Sequence, residues 1–198
     1  VKQISTAKLQ YHSSDFSAPF IAEMVRQYLH DKYGDEVYTL GLKIYTTIDS
    51  HLQKAAEKAL RNALHIYDER HGYRIAKQEV TDNKLQPKID SIIGDTIAAT
   101  VIDVDKSGGV KAKLYTNKTI DISWDKIKWA GNKAKSYLKP VASIRVRLLK
   151  NGVWGLSQAP EVEGAMVSMN PINGAILSLV GGFEFNQNKF NRAVQAKR

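Results

Sequence analysis

The chain has 198 residues, 29 Lys and Arg against 20 Asp and Glu for a formal charge of +9, and 43% hydrophobic residues. It is too large for a peptide, small for two independent full domains, and too apolar for a disordered tail. Cysteine is absent, which excludes disulfides and Cys-based zinc or redox centres; apolar runs such as Ala175 to Val180 fall far short of the ~20 residues of a membrane helix, and no signal peptide opens the chain.

Residues up to about Arg74 read as helical. Ser17, Ala18 and Pro19 form a helix-start signature, after which Phe20, Ile21, Met24, Val25, Tyr28 and Leu29 recur at helical spacing until Gly34. Leu42 to Ile48 alternates at period two and predicts a short strand. A second helix starts at Asp49 or Ser50, either of which can accept from the free N–H groups of the first turn. Its apolar face is predicted to be Leu52, Ala55, Ala56, Ala59, Leu60, Ala63 and Tyr67, with Gly72 just past its end.

Residues 75 to 93 are polar and weakly patterned, and predict a linker. From Gly94 the period changes to two. Strands are predicted at Thr96 to Val104, Val110 to Tyr115, Lys118 to Ile122, Ile144 to Lys150 and Val153 to Ser157, with turns at Lys106 to Gly109, Thr116-Asn117 and Asn151-Gly152. With one irregular connection at 125 to 142, these five strands suggest a small closed barrel of the oligonucleotide/oligosaccharide-binding (OB) type, although strand number alone does not separate it from an SH3-like barrel. A third block begins near Glu163. Gly164 to Met169 and Ala175 to Val180 flank Asn170-Pro171-Ile172-Asn173-Gly174 as a second hairpin. The chain then stops at Arg198 without a terminating signal and reads as cut.

The charge is local. Residues 106 to 150 hold ten Lys and two Arg against Asp121 and Asp125, a net +10 that leaves −1 for the remainder. Such a segment suits an anionic neighbour, whether nucleic acid, lipid headgroups, an acidic protein or an anionic polymer; lysines that merely solvate outward strand faces would give the same count. Tyr115, Trp124, Trp129 and Trp154 within or beside it offer stacking platforms for single-stranded nucleic acid. The preferred reading is that these rings fill a small barrel, which needs large side chains.

No catalytic constellation emerges. His12, His30, His51, His65 and His71 have no metal-binding spacing, and His65, near Asp68, Glu69 and His71, reads as a solvated helix end. Gly108-Gly109 and Gly181-Gly182 lack the Lys-Ser/Thr of a phosphate loop. Asp103 and Asp105 read as a polar strand end. Ser-x-x-Lys, which can place an amine one helical turn from a Ser hydroxyl, occurs at Ser5/Lys8, Ser123/Lys126 and Ser136/Lys139. With 13 Ser and 21 Lys, chance expects about one and a half matches. Without a Lys-Thr-Gly companion these three, and Ser168-Met169-Asn170, read as coincidences.

Gly164-Ala165-Met166-Val167-Ser168-Met169-Asn170-Pro171, Gly174-Ala175-Ile176, Val180-Gly181-Gly182-Phe183 and Phe190-Asn191-Arg192-Ala193 closely resemble the segment leading into the transpeptidase active site of class A penicillin-binding proteins. Gly41 to Asp49, followed by Leu52-Gln53-Lys54-Ala55-Ala56, resembles the strand and helix that open that domain. Residues 76 to 160 resemble the OB-like insertion of the 1A-type Gram-negative members.

The resemblance implies an α+β fold: a small OB-like barrel inserted into a helix-strand subdomain that is the N-terminal part of a transpeptidase domain. It implies three segments: 1–75, the linker and first elements; 76–160, the insertion; and 161–198, the hairpin and lead-in. Residues 17 to 74 and 160 to 190 are expected to pack together. The parent would be a cell-wall synthase on the periplasmic side of the inner membrane. Its anchor and glycosyltransferase would precede Val1, and its nucleophilic Ser would follow Arg198. No catalytic, cofactor-binding or metal residue is therefore expected here. The implied partners are the rest of the polypeptide and an outer-membrane lipoprotein activator, with glycan strands or anionic headgroups as other neighbours of residues 106 to 150. A stand-alone OB-fold nucleic-acid-binding protein is the rival expectation.

Overall fold

The computed structural model describes residues 16–75 and 91–197. The first helix, α1, runs Pro19–Tyr33. Proline occupies its first turn, where its missing N–H costs nothing. Ser17 does not cap it: the N-cap is Ala18, with no side-chain bond. Helix α2 spans Ser50–Arg70 and is capped by Asp49, which accepts from the backbone N–H groups of His51 and Leu52 at 2.9 Å each.

The face that α2 buries shares Ala56 and Leu60 with the predicted one and otherwise differs. Leu52, Ala55, Ala59, Ala63 and Tyr67 are exposed, whereas Gln53, Ala56, Leu60, Leu64, His65 and Asp68 are buried. Alanines add little apolar area, so Leu60 and Leu64 set the buried side. The polar members of that face are stable there because each finds a partner.

Two strands, β7 (Met166–Met169) and β8 (Ile176–Val180), form the C-terminal hairpin, with Gly174 at φ +71° in its turn. Helices α1 and α2 pack on it: Ala56, Leu60, Leu64, Val180 and Phe183 make one apolar cluster, Phe20, Ile21 and Leu179 another. The predicted strand at Leu42 to Ile48 does not form. This run meets β8 through Thr47 Oγ1, which donates to the Ile176 carbonyl at 2.6 Å, and through Ile48, which packs on the Leu179 cluster; just past it the Asp49 N–H donates to the Leu177 carbonyl at 2.9 Å. The next ladder position is taken by a side chain. Gln53 Nε2 donates to the Leu179 carbonyl at 2.9 Å, and Gln53 Oε1 accepts from the Leu179 N–H at 2.8 Å.

The second body is a curled antiparallel sheet in the order β4-β3-β2-β5-β6, made of β2 (Thr96–Val104), β3 (Val110–Leu114), β4 (Thr119–Ile122), β5 (Ser143–Leu148) and β6 (Trp154–Ser157). All five predicted strands are present, with ends moved by one or two residues. A short β1, Ile92–Ile93, pairs with β2, so the predicted linker ends earlier than expected; its residues 76–90 lie outside the described part. The irregular connection contains a short helix, α3 (Gly131–Tyr137). Ala134 from it and Leu138 at its C-cap enter the core with Val101, Ala112, Ile122, Ile127, Ile144 and Val146. The sheet is not a closed barrel: β4 and β6 approach each other without a ladder. What results is a small OB-like half-barrel inserted into a helix-strand body.

Candidate functional site at the helix–barrel junction

The chain leaves α2 for the barrel through Tyr73 and Arg74 and returns through Gln158 to Glu161, and both crossings meet on Asp68. Arg74 grips this carboxylate with two parallel bonds, Nη1 to Oδ1 and Nη2 to Oδ2, each 2.8 Å. Gln158 Nε2 donates to Asp68 Oδ2 at 2.7 Å and to the Gly72 carbonyl at 3.0 Å, while Gln158 Oε1 accepts from the Arg74 N–H at 2.8 Å. Arg74 Nη2 also reaches the Ala159 carbonyl at 2.9 Å, and its Nε lies 3.1 Å from Glu161 Oε1. Asp68 is only 4% exposed, and so many charge-assisted bonds offset its desolvation. Tyr73, on the outgoing crossing, sits in the barrel core with its ring edge-on to Trp129 at 5.8 Å; burial pushes its phenol pKa up.

A second contact lies one turn earlier on α2. His65 is 1% exposed, so it is no solvated helix end. Its Nε2 lies 2.7 Å from Asp95 Oδ1 in the turn between β1 and β2, and its ring meets Phe183 edge-on at 5.2 Å. Burial by itself would raise the Asp95 pKa; the hydrogen bond and charge of His65, with the charge of Arg147, hold it below the ordinary carboxylate value instead. Arg147 Nη2 donates to Glu69 at 3.0 Å, Arg61 Nε to the Phe183 carbonyl at 3.2 Å, and the Gly94 N–H to Glu184 at 3.1 Å. No signal in the sequence marks His65–Asp95 or Asp68–Arg74–Gln158 as a unit, because their members are up to 90 residues apart.

Beside this joint an open cleft of about 940 Å³ separates the outer face of α2 from the β5–β6 turn. Ala55, Ala59, Ile66, Leu148 and Leu149 give it an apolar lining, and six cations, Lys54, Lys58, Arg61, Lys126, Arg147 and Lys150, outnumber Glu57 and Asp95.

The residues considered for chemistry stay apart. Ser123 Oγ and Lys126 Nζ both turn to Asp125. Ser136 is on α3, with Lys139 past its end, and Ser168 faces Ser178 across β7–β8; Ser5 and Lys8 lie outside the described residues. Asp105 closes the β2–β3 turn, accepting from the Ser107 N–H at 2.7 Å and the Gly109 N–H at 2.9 Å. Among the described residues no group of three or more His, Asp or Glu side chains could hold a metal ion, and no helix is long and apolar enough to cross a membrane. Trp124, Trp129 and Trp154 pack against the barrel core, and Trp129 Nε1 donates to the Leu156 carbonyl at 3.3 Å. Of the four rings considered as stacking platforms Tyr115 is the most open, at 49% exposure, and the three tryptophans are half-buried against the core, which disfavours the nucleic-acid reading.

The family described as "Penicillin-binding protein OB-like domain" matches residues 50–162, from helix α2 through the half-barrel to the returning crossing. The chain belongs to that family. Among particular proteins, it is 37% identical to penicillin-binding protein 1A of Escherichia coli K12 over 95% of its own length and 25% of that protein's. It is 38% identical to penicillin-binding protein 1A of Vibrio cholerae over 96% and 26%. The crystal structure of penicillin-binding protein 1A from Haemophilus influenzae superposes with a TM-score of 0.77 at 37% identity, covering 91% of this chain and 28% of that one. The chain thus spans about a quarter of the length of the curated relatives it matches, and it is homologous to their OB-like region. The family resemblance read from residues 41–56 and 164–193 is borne out.

Proposed function

We propose that this chain is a non-catalytic regulatory and linking portion of a bifunctional peptidoglycan synthase, in which glycosyltransferase and Ser transpeptidase chemistry belong to other parts of the parent protein. The observation that carries this reading is the likeness to penicillin-binding protein 1A from Haemophilus influenzae over 91% of the chain. Within it, residues 1–75 and 161–198 belong to the transpeptidase side and residues 76–160 to the insertion, and no residue of the chain is assigned a catalytic, cofactor or metal role. The joint on Asp68 sets the pose of the barrel, so that a load on the barrel is felt by α2 and the β7–β8 hairpin. Such a module suits docking of an outer-membrane lipoprotein activator on the periplasmic side of the inner membrane. Glycan strands and anionic lipid headgroups are the other candidate neighbours of residues 106–150.

The test is labelling of the 198-residue chain with a fluorescent penicillin. No covalent adduct is expected. An adduct formed in stoichiometric amount and blocked by unlabelled penicillin overturns the reading.

A further inference from the structure

The cleft beside the joint is the one sizeable concavity described here whose charge and shape point to a particular kind of ligand. Of its six cations, three are already engaged: Arg61 lies 3.7 Å from Glu184, Lys126 is 2.8 Å from Asp125 and Arg147 is 3.0 Å from Glu69. Of the two acids Asp95 is taken by His65, and Glu57 accepts from the Gln53 amide, a neutral donor, so three lysines stand against one carboxylate. Lys54, Lys58 and Lys150 are left without an ion pair among the described residues, two on one wall and one on the other. Lys54 and Lys58 are one helical turn apart on α2, about 6 Å, a spacing that carboxylates four residues apart on a helix reproduce. Beside the lysines the wall holds Ala55 and Ala59, which let a backbone approach closely, and the far wall ends in Leu148 and Leu149. No aromatic ring lines the cleft, so sugar rings and nucleobases find nothing to stack on. Its size is at the upper end of ligand pockets, roughly 300–1,000 Å³, and it is open to solvent, which suits a chain segment better than an enclosed small molecule.

We infer that this cleft is a docking site for an acidic segment of a partner protein, one with carboxylates four residues apart and short apolar side chains between them. The inference rests on the reading that this portion docks a partner, and adds where and by what chemistry. Its occupant would touch α2 and the β5–β6 turn at once, bracing the two bodies that Asp68 and His65 join. Binding there would stiffen the joint without any change at a catalytic residue.

The experiment is a fluorescence-anisotropy titration of the full chain with a labelled peptide of Glu, Ala and Leu that has Glu at i and i+4, and with its Gln counterpart. Saturable binding of the Glu peptide alone is expected, weakened at least about fivefold when salt rises from about 50 to 300 mM. Lys58→Glu with Lys150→Glu should lower affinity about tenfold or more, whereas Lys139→Glu, an exposed lysine outside the cleft, should leave it within about twofold. Equal loss in Lys139→Glu would show attraction to net charge only and overturn the inference. So would equal binding of the Gln peptide, no saturation at millimolar peptide, or displacement of the peptide by anionic vesicles or a single-stranded oligonucleotide at equal charge concentration. An intact cleft variant that still captures the parent's partner would leave the docking reading standing and remove only the site. Lys58 and Lys150 are solvent-exposed, and an unchanged circular dichroism spectrum of the double variant would verify the fold.

Discussion

Arg74 holds Asp68 by two parallel hydrogen bonds of 2.8 Å, one from each terminal nitrogen to each carboxylate oxygen. Because Arg74 lies on the outgoing crossing and Gln158, the third partner, on the returning one, a single carboxylate on α2 ties both ends of the inserted barrel to the helix. Removing Asp68 takes from Arg74 its bidentate partner and leaves it the exposed Glu161, 3.1 Å from Nε, and the Ala159 carbonyl, while the Gln158 amide loses an acceptor. Arg74 keeps a third of its side chain in solvent, at 32% exposure, which moderates the cost. Asp68→Ala is expected to lower stability by about 2–4 kcal/mol in urea unfolding. A loss below about 1 kcal/mol would mean that the joint is carried by Tyr73 and the apolar contacts instead.

Asp95 gives the joint a pH dependence. Its folded-state pKa is below the ordinary value, so the folded state favours the carboxylate. The stabilisation is present in full above the unfolded pKa of about 4 and is lost as pH falls through the lower folded value. Urea midpoints measured from pH 6 down to pH 3 should therefore drop more steeply for the parent chain than for Asp95→Asn. Parallel curves would show that the pair with His65 has no linkage to folding.

Gln53 replaces a strand. Its amide occupies the N–H and carbonyl of Leu179, both buried with it. Gln53→Leu keeps the volume but leaves two backbone groups without partners, at about 1–3 kcal/mol each before relaxation. Native-state hydrogen exchange should show the Leu179 amide exchanging at least about tenfold faster, with barrel amides such as Val146 little changed. An unaltered Leu179 rate would indicate that the run at Leu42 to Ile48 closes over β8 in the variant.

Gly94 sits at φ +61°, and a Cβ built there would lie 2.8 Å from the Phe183 ring. Gly94→Ala combines a left-handed backbone cost with a collision in the cluster that also holds Leu60 and Leu64, so a loss of about 2–3 kcal/mol is expected. Phe183→Leu in the same background should recover part of it. Additive losses in the double variant would place the strain elsewhere.

The elements that were legible in the sequence are those whose cause is local. The strands of the barrel alternate at period two because one side of the sheet faces the core, and Asp49 caps α2 by bonding its own next residues. The Leu42 to Ile48 run has the same alternation and forms no ladder, since the neighbouring edge of β8 is occupied by Gln53, a residue of the following helix. Period and propensity do not report such competition.

The same division holds for the site. The family signature, the +10 segment and the absence of a supported nucleophile motif could all be read from residue order, because each is a property of short stretches. Which face α2 buries could not: Ala55, Ala59 and Ala63 outnumber Leu60 and Leu64, and only packing showed that the leucines decide. His65 and Asp68 look like solvated charges until Arg74 on the outgoing crossing, Asp95 in the β1–β2 turn and Gln158 on the returning crossing meet them. Residue order set the strands, the cap and the charge; tertiary contacts across as many as 126 residues decided which polar side chains are buried, because a buried polar group is stable only where its partners are.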